Sequence, residues 1–192
     1  HEFHRDCVEE LRKQGVQQAC PICRSALPPG PEQLFEDATR MYVRMAMRRR
    51  RAVSGLEDGS MAHIIDMLTN AANQGHMRAQ SFLAFIYTGG SGEQDYRLRV
   101  DYAEAARWYC KAAEQGCLKS QCSLGSIYHD GKGVSQDYKK ALQWFNKAAD
   151  QGHAEAQYQL GTIYHEGSGV SQDYKEAARW CRKAADQGHI DS

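Results

Sequence analysis

The chain has 192 residues, of which 24 are Lys or Arg and 24 are Asp or Glu, so its formal net charge is zero. A balanced charge gives no electrostatic reason to expect binding to nucleic acid or to anionic lipid. The sequence has no run of about 18 apolar residues, so we expect no membrane-spanning helix. The four arginines Arg48 to Arg51 are a local exception to the charge balance; they predict a solvated helix end, with a nuclear address as the alternative.

The N-terminal segment concentrates side chains that bind metals. A His-x-x-His-x-x-Cys string is followed, after twelve other residues, by Cys-Pro-Ile-Cys. Imidazole and thiolate are the common protein ligands of Zn²⁺, and a Cys-x-x-Cys turn brings two sulfurs to one tetrahedral metal at about 2.3 Å each. The candidate zinc ligands are therefore His1, His4, Cys7, Cys20 and Cys23.

Together with Phe3, Pro21 and Arg24, this string resembles the C-terminal half of a RING zinc finger of the two-histidine type. That family binds two zinc ions in a crossed pattern. By position, the resemblance assigns His4 and Cys7 to one zinc, and to the other zinc it assigns His1, Cys20 and Cys23. The family's first three cysteines are not in this sequence, so neither zinc site is complete in this chain. We therefore expect the chain to be a fragment of a longer protein.

The resemblance implies that the parent protein is a ubiquitin-protein ligase. Such a module holds no covalent intermediate and acts by orienting a ubiquitin-charged conjugating enzyme. It implies that Pro21 docks the conjugating enzyme and that Arg24 orients ubiquitin. Leu11 stands where the family often has a tryptophan that grips the enzyme, so the alternative is a non-catalytic adaptor with a structural or damaged zinc module. We expect this chain, as given, to be inactive as a ligase.

The next predicted element is a helix from Pro31 to about Ala52. It is preceded by the turn Pro28-Pro29-Gly30-Pro31, which is stiff, which no helix crosses and which we take as a domain boundary. Apolar residues at i, i+4, i+7 and i+11 give the helix one stripe for burial, formed by Leu34, Ala38, Met41 and Met45. We expect this helix to link the zinc segment to the rest of the chain and to cap it.

The remainder of the chain is an internal repeat. The motif Ala-Ala-x-Gln-Gly ends at Gly116, Gly152 and Gly188, a period of 36 residues, and an earlier copy ends at Gly75. We divide the chain into a zinc segment at 1–27, a linker and capping helix at 28–59, and repeats at 60–192. After a partial unit, the full units lie near 77–116, 117–152 and 153–188.

Each unit predicts two helices separated by a break. In the last unit, Ala156, Leu160, Ile163 and Tyr164 form the stripe of the first helix, and Asp173 with Glu176 forms a capping box for the second. The second stripe consists of Tyr174, Ala177, Ala178, Cys181, Ala184 and Ala185, and Gly188 stops the helix in a left-handed conformation. The hairpins are expected to break near 89–100, 130–136 and 166–172.

Several recurring residues have simple structural interpretations. Glycine inside the first helices, at Gly125 and Gly161, costs about 1 kcal/mol relative to alanine, so its recurrence predicts a close approach of the partner helix backbone. The recurring tryptophans, Trp108, Trp144 and Trp180, predict packing. The recurring histidines lie near helix ends, where the helix dipole favours them; they are His76, His129, His153, His165 and His189.

The strings Leu160-Gly161-Thr162-Ile163-Tyr164, Asp173-Tyr174-x-x-Ala177-x-x-Trp180 and Lys183-Ala184-Ala185-x-Gln187-Gly188 resemble the Sel-one-like repeat, a relative of the tetratricopeptide repeat. The resemblance implies an all-α, right-handed α-solenoid of helical hairpins, preceded here by the truncated RING-like segment. It also implies a scaffold that binds protein partners on its repeats and has no catalytic site.

Four cysteines lie within the repeats but do not recur from unit to unit; they are Cys110, Cys117, Cys122 and Cys181. A disulfide that belonged to the repeat design would return in each copy. We therefore expect reduced thiols, which are typical of the cytoplasm or the nucleus.

Overall fold

The computed structural model describes Val8, Leu11, Arg12 and residues 27–50, 59–90 and 100–188. All regular secondary structure in this part of the chain is α-helical, which confirms the predicted fold class. The helices are α1 (Pro31–Arg50), α2 (Gly59–Asn73), α3 (Met77–Tyr87), α4 (Tyr102–Glu114), α5 (Leu118–Asp130), α6 (Tyr138–Asp150), α7 (Ala154–Glu166) and α8 (Tyr174–Ala185). The helix ends that flank the three predicted breaks lie within one residue of the predicted positions; they are Tyr87 and Tyr102, Asp130 and Tyr138, and Glu166 and Tyr174. None of these helices is long and apolar enough to cross a membrane.

The described helices pack in chain order. Each helix from α1 to α7 packs against the helix that follows it, and these sequential pairs dominate the contacts between elements. Contact limited to neighbours is the defining property of a solenoid, because each hairpin needs the next one to bury its apolar face. The pairs α3–α4, α5–α6 and α7–α8 are the three full hairpin units, and α1 with α2 precedes them.

The core runs along the boundary between the two helices of each hairpin. Its largest fully buried side chains include Ile64, Leu68, Leu83, Leu124 and Leu160, one or two from each successive hairpin. The predicted stripe of α1 is also confirmed. Three of its four members are buried and Met41 is partly buried against the same cluster. The arginine run that begins at Arg48 reaches the end of α1, but its side chains lie outside the described residues.

The predicted apolar stripe of α8 is buried only in part. Ala177 and Ala184 are buried, whereas Tyr174, Ala178 and Ala185 are exposed. The positions equivalent to these three in α4 and α6 are buried or half-buried, because each of those helices is followed by another described hairpin. Exposure on α8 therefore reflects the absence of a described neighbour on that side and not a different helix phase.

The two glycines inside first helices make room for different atoms. A Cβ at Gly161 would lie 3.3 Å from the Ala177 carbonyl oxygen and 3.4 Å from the Cys181 amide nitrogen, so the predicted close approach of the α8 backbone is confirmed there. At Gly125 the atoms nearest to an added Cβ belong instead to the Phe145 ring, at 2.8 Å, because α6 carries a bulky ring at this position.

Each second helix begins with an aspartate cap. The carboxylates of Asp101, Asp137 and Asp173 accept hydrogen bonds from backbone N–H groups in the first turns of α4, α6 and α8. The reciprocal arm of the predicted capping box is missing in the last unit. The Asp173 N–H donates to the Tyr164 carbonyl at 2.9 Å, and the Glu176 side chain pairs with Arg179 instead.

The recurring histidines have two roles. His129 and His165 lie in the last turns of α5 and α7, as the dipole argument predicted. His76 and His153 instead cap the N-termini of α3 and α7, where each ring Nδ1 accepts the backbone N–H three residues later. The dipole favours cations at the C-terminus of a helix and not at its N-terminus, so for these two residues the dipole argument was wrong. His189 lies outside the described residues.

Candidate functional site

The predicted zinc and ligase residues lie outside the described part of the chain; they are His1, His4, Cys7, Cys20, Pro21, Cys23 and Arg24. Of that segment the structure describes Val8, which is buried, and Leu11 and Arg12, which are half-buried. The Arg12 guanidinium donates to the Pro28 carbonyl and lies against Gly30. Within the described residues, no three His, Cys, Asp or Glu side chains are arranged to hold a metal ion.

A cavity of about 330 Å³ opens between α3 and α5 and is also lined by Tyr102 and Tyr109 of α4. We call this cavity the α3–α5 groove. Its lining comes from two successive hairpin units and consists of Phe85, Thr88, Tyr102, Tyr109, Lys119, Ser123, Ser126, Ile127, Asp130 and Lys132. Ligand pockets for small molecules span about 300–1,000 Å³, so this groove has room for one large side chain of a bound protein.

The floor of the groove is polar. Tyr109 is 3% exposed, and its hydroxyl is hydrogen-bonded to the hydroxyls of Ser123 and Thr88. Burial raises the pKa of Tyr109 above its ordinary value of 10.0, so the phenol stays protonated at neutral pH. Neutral hydroxyls can donate a hydrogen bond to a ligand or accept one from it.

The walls and rim of the groove combine aromatic rings with cations. The Lys119 Nζ lies 5.3 Å from the centroid of the Phe85 ring. The Lys132 Nζ lies 5.9 Å from the Tyr102 ring centroid and 2.8 Å from the Asp130 carboxylate. Partial burial raises the pKa of Asp130, but bonds from Lys132 and His129 outweigh it and hold the pKa below 3.8. Asp130 is thus anionic at neutral pH and neutralises Lys132, whereas no described carboxylate pairs with Lys119.

The other units do not repeat this arrangement. At the position of Tyr109, α6 has Phe145 and α8 has Cys181. At the position of Phe85, the later first helices have Ser126 and Thr162. At the position of Lys119, α3 has the cation Arg78 and α7 has Glu155. The solenoid therefore packs without a tyrosine or a phenylalanine at these places. Two departures from the repeat, Tyr109 and Phe85, meet at the cavity that Lys119 also lines, which makes it the candidate recognition site.

Sequence reasoning did not find the α3–α5 groove. It looked for positions at which the units agree, and those positions serve the core. The available signal was the opposite one, namely positions at which the residue type of one unit differs from that of the others, such as Tyr109 and Phe85. That signal becomes specific only when the structure shows which of these positions lie together.

Comparison with known proteins gives one family. The Sel1 repeat matches residues 78–117, 118–153 and 154–189. The crystal structure of c5321, a protective antigen present in uropathogenic Escherichia coli strains that displays an SLR fold, is 31% identical, with a TM-score of 0.68 over 94% of this chain and 33% of that one. This chain thus spans about a third of the length of c5321. The crystal structure of a Sel1 repeat protein from Oxalobacter formigenes is 35% identical, with a TM-score of 0.57 over 64% of this chain and 90% of that one. The comparison with curated proteins found no match.

Proposed function

The chain belongs to the Sel1 repeat family, and on this basis we propose that it is a protein–protein interaction scaffold whose α3–α5 groove anchors a partner protein. The observation that carries the proposal is the placement of Tyr109, Phe85 and Lys119 around one cavity, in the one described unit pair that has all three. Aromatic rings give large contact areas, and tyrosine is enriched among the residues that carry most of the binding energy at interfaces.

The groove is suited to one anchor residue of a partner segment. A buried apolar side chain would lie between Phe85 and Ile127, and a polar atom at its end would meet the Tyr109 hydroxyl. Lys119 at the rim favours an acidic neighbour in the same segment. Binding energy at interfaces concentrates at few well-packed residues, so one filled groove on a solenoid face is enough to define a partner.

A site-specific crosslinking experiment tests this proposal. Benzoylphenylalanine in place of Ser126, which lines the groove, should crosslink the full-length protein in cells to a discrete partner. The same probe in place of Gln143, which is exposed on α6, should not. The decisive variant is Lys119→Glu, since α7 already carries Glu155 at this position and the fold accepts it. We expect Lys119→Glu to remove the Ser126 crosslink while the melting temperature is unchanged. A crosslink that survives this substitution would overturn the groove as the anchor.

We propose further that the protein carrying this chain is a RING-type ubiquitin-protein ligase in which the repeats recruit the substrate. Support comes from the donor set of the N-terminal segment, since its thiolates and imidazoles are the ligands that structural zinc requires. The zinc ligands in this proposal are His1, His4, Cys7, Cys20 and Cys23. Pro21 would dock the conjugating enzyme, and Arg24 would orient ubiquitin. The place of action would be the cytoplasm or the nucleus.

Leu11 favours the alternative of a non-catalytic adaptor with structural zinc. One variant of the full-length protein separates the two functions. Arg24→Ala should abolish ubiquitin discharge from the charged conjugating enzyme while zinc content and binding of that enzyme stay the same, because the proposed role of Arg24 is orientation. Residues 1–192 alone should carry well under one zinc per chain. Full ubiquitin discharge by the Arg24→Ala protein would leave the adaptor as the better description.

A further inference from the structure

One face of α8 carries four cations. Lys175, Arg179, Arg182 and Lys183 are spaced i, i+4, i+7 and i+8, a spacing that places side chains on one side of a helix. All four are exposed, and around Ala178 they border a shallow depression of about 250 Å³. We call these four residues the basic stripe. The chain as a whole has no net charge, so the stripe is a local concentration of positive charge.

The other second helices show that packing does not require the stripe. The four equivalent residues are Ala103, Arg107, Cys110 and Lys111 in α4, and Lys139, Gln143, Asn146 and Lys147 in α6. Each of those helices thus has cations at two of the four positions, whereas α8 has cations at all four. The last lysine has a structural use in every unit, because its Nζ lies over the ring of the preceding tryptophan, at 4.0 Å for Lys183 and Trp180. The other three cations of α8 are not needed for this ring contact.

Three of the four cations are exposed for a reason that does not depend on α8 being the last described helix. Lys139, Gln143 and Lys147 in α6 are exposed although another hairpin follows α6. The equivalent residues Lys175, Arg179 and Lys183 therefore face away from the array, whereas Asn146, at the position of Arg182, is half-buried.

The carboxylates near the stripe lie at its edges. Glu176 is 3.3 Å from Arg179, and both side chains are largely exposed. Such a surface pair contributes little to stability and can be exchanged for a pair with a partner carboxylate. Asp186 borders the C-terminal end of the depression. No described carboxylate forms an ion pair with Lys175 or Arg182, so their charges are unneutralised.

We propose that the basic stripe is a second docking surface of the scaffold and that it binds a short acidic segment of a partner protein. The inference rests on the scaffold function proposed above but not on the α3–α5 groove. Lys175 and Lys183 are eight residues apart, about 12 Å along the helix axis. Four residues of extended chain span about 13 Å, so the stripe matches a segment with about four consecutive acidic residues.

Other anionic partners fit the stripe less well. Nucleic acids bind basic surfaces with aromatic rings on which the bases stack, but Lys183 covers the ring of Trp180. A long polyphosphate backbone or a broad anionic membrane would also extend past the stripe to Glu176 and Asp186, which repel it. A short acidic segment needs to contact only the four cations, and its carboxylate can replace Glu176 as the partner of Arg179.

The test measures fluorescence anisotropy of a labelled peptide that has four consecutive glutamates between Gly-Ser flanks. The variant Lys175→Gln with Arg179→Gln and Arg182→Gln removes the stripe but keeps Lys183 over Trp180. Its matched control, Arg78→Gln with Arg107→Gln and Lys139→Gln, removes the same charge from three other helices. We expect the stripe variant to weaken binding about fivefold or more and the control less than about twofold. Binding by the unaltered protein should also weaken between about 50 and 200 mM salt.

Several outcomes would overturn the proposal. One is that the glutamate peptide does not bind. Another is that the two triple variants weaken its binding equally. A third is that phosphatidylserine vesicles or a single-stranded oligonucleotide bind more strongly than the glutamate peptide. The single variant Arg182→Glu repeats the test with one exposed substitution if the triple variant melts early. Lys119→Glu, the groove variant, should bind the glutamate peptide as the unaltered protein does, so failure of the groove and failure of the stripe give different results.

Discussion

Ser120 has a buried hydroxyl for which the described residues provide no hydrogen-bond partner. The equivalent positions in the neighbouring units are Ala79 and Ala156, and both are fully buried. A buried polar group without a partner costs about 1–3 kcal/mol. Since alanine already fits this position twice, the hydroxyl of Ser120 is a cost that the fold does not need.

We therefore expect Ser120→Ala to stabilise the protein by about 1 kcal/mol, because it removes an unsatisfied group and leaves no sizeable cavity. Urea unfolding followed by circular dichroism measures this change. Ser123→Ala is the control, and it should destabilise the protein because the Ser123 hydroxyl bonds with Tyr109. A lower unfolding free energy for Ser120→Ala would show that its hydroxyl has a partner in solution.

The described cysteines differ in burial, and we expect them to differ in reactivity. Burial, with a smaller contribution from the nearby Glu155 carboxylate, raises the pKa of the Cys122 thiol from 9.0 to about 12. The thiolate is the reactive form, so Cys122 is inert at neutral pH. Because the pKa in the folded state lies above the ordinary value, the folded protein keeps the thiol proton of Cys122 up to a higher pH than the unfolded chain does. Cys122 therefore contributes stability below about pH 9 that is lost as the pH rises towards 12.

Iodoacetamide at pH 8 should modify Cys117, which is half-buried, and leave Cys122 unmodified in the folded protein. Peptide mass spectrometry after short exposure distinguishes the two sites. In urea both cysteines should react, which checks that the peptides are detected equally. Modification of Cys122 at the rate of Cys117 in the folded protein would contradict the burial argument.

At the scale of helices, each hairpin is fixed at both ends of its break. The carboxylate of Asp101, Asp137 or Asp173 caps the second helix, and the same residue's N–H donates to a tyrosine carbonyl near the end of the first helix, at 2.9 Å in all three units. One residue thereby satisfies free backbone groups of both helices. The first helix of the middle unit is less well fixed, since Cys117 occupies its N-cap without a side-chain hydrogen bond.

Contact between the two helices of a hairpin sets the limit on side-chain size at Gly161. A Cβ there would lie 2.5 Å from the Cys181 Sγ and 3.3 Å from the Ala177 carbonyl oxygen, so the larger side chain must separate α7 from α8. We expect Gly161→Leu to destabilise the protein by about 1–3 kcal/mol or more through overpacking. Thermal unfolding measures it. Ser168→Ala, in the loop, should change the melting temperature little, and equal melting temperatures for the two variants would refute the close packing.

At the scale of the whole molecule, glutamines join the units. A buried glutamine near the start of each first helix donates to a carbonyl at the end of the preceding second helix, as Gln121 does to Ala113 at 3.1 Å. Its own side-chain oxygen then accepts from the glutamine that follows the next second helix, as Gln121 does from Gln151 at 3.3 Å. Gln80 with Gln115 and Gln157 with Gln187 repeat the arrangement. Each junction thus connects three successive helices.

Gln121→Leu should destabilise the array by about 1–3 kcal/mol, because it removes one hydrogen bond from the Ala113 carbonyl and one from the Gln151 amide, which keep the Gly116 N–H and the Lys147 carbonyl as partners. Urea unfolding of the whole chain measures the loss. Gln143→Leu, at an exposed site on α6, is the matched control and should be nearly neutral. If Gln121→Leu were equally neutral, hydrophobic packing alone would hold the units together.

The sequence by itself determined the helices, their breaks and their aspartate caps. These features depend on residues close together in the chain, such as Asp173 and its first helical turn, and they recur with the 36-residue period. The zinc ligands proposed from His1 to Cys23 stay a prediction. Only the tertiary structure decided the use of the recurring glutamines and the N-cap role of His153. It also decided the α3–α5 groove, because Phe85 and Lys119 belong to different units and meet only when those units stack.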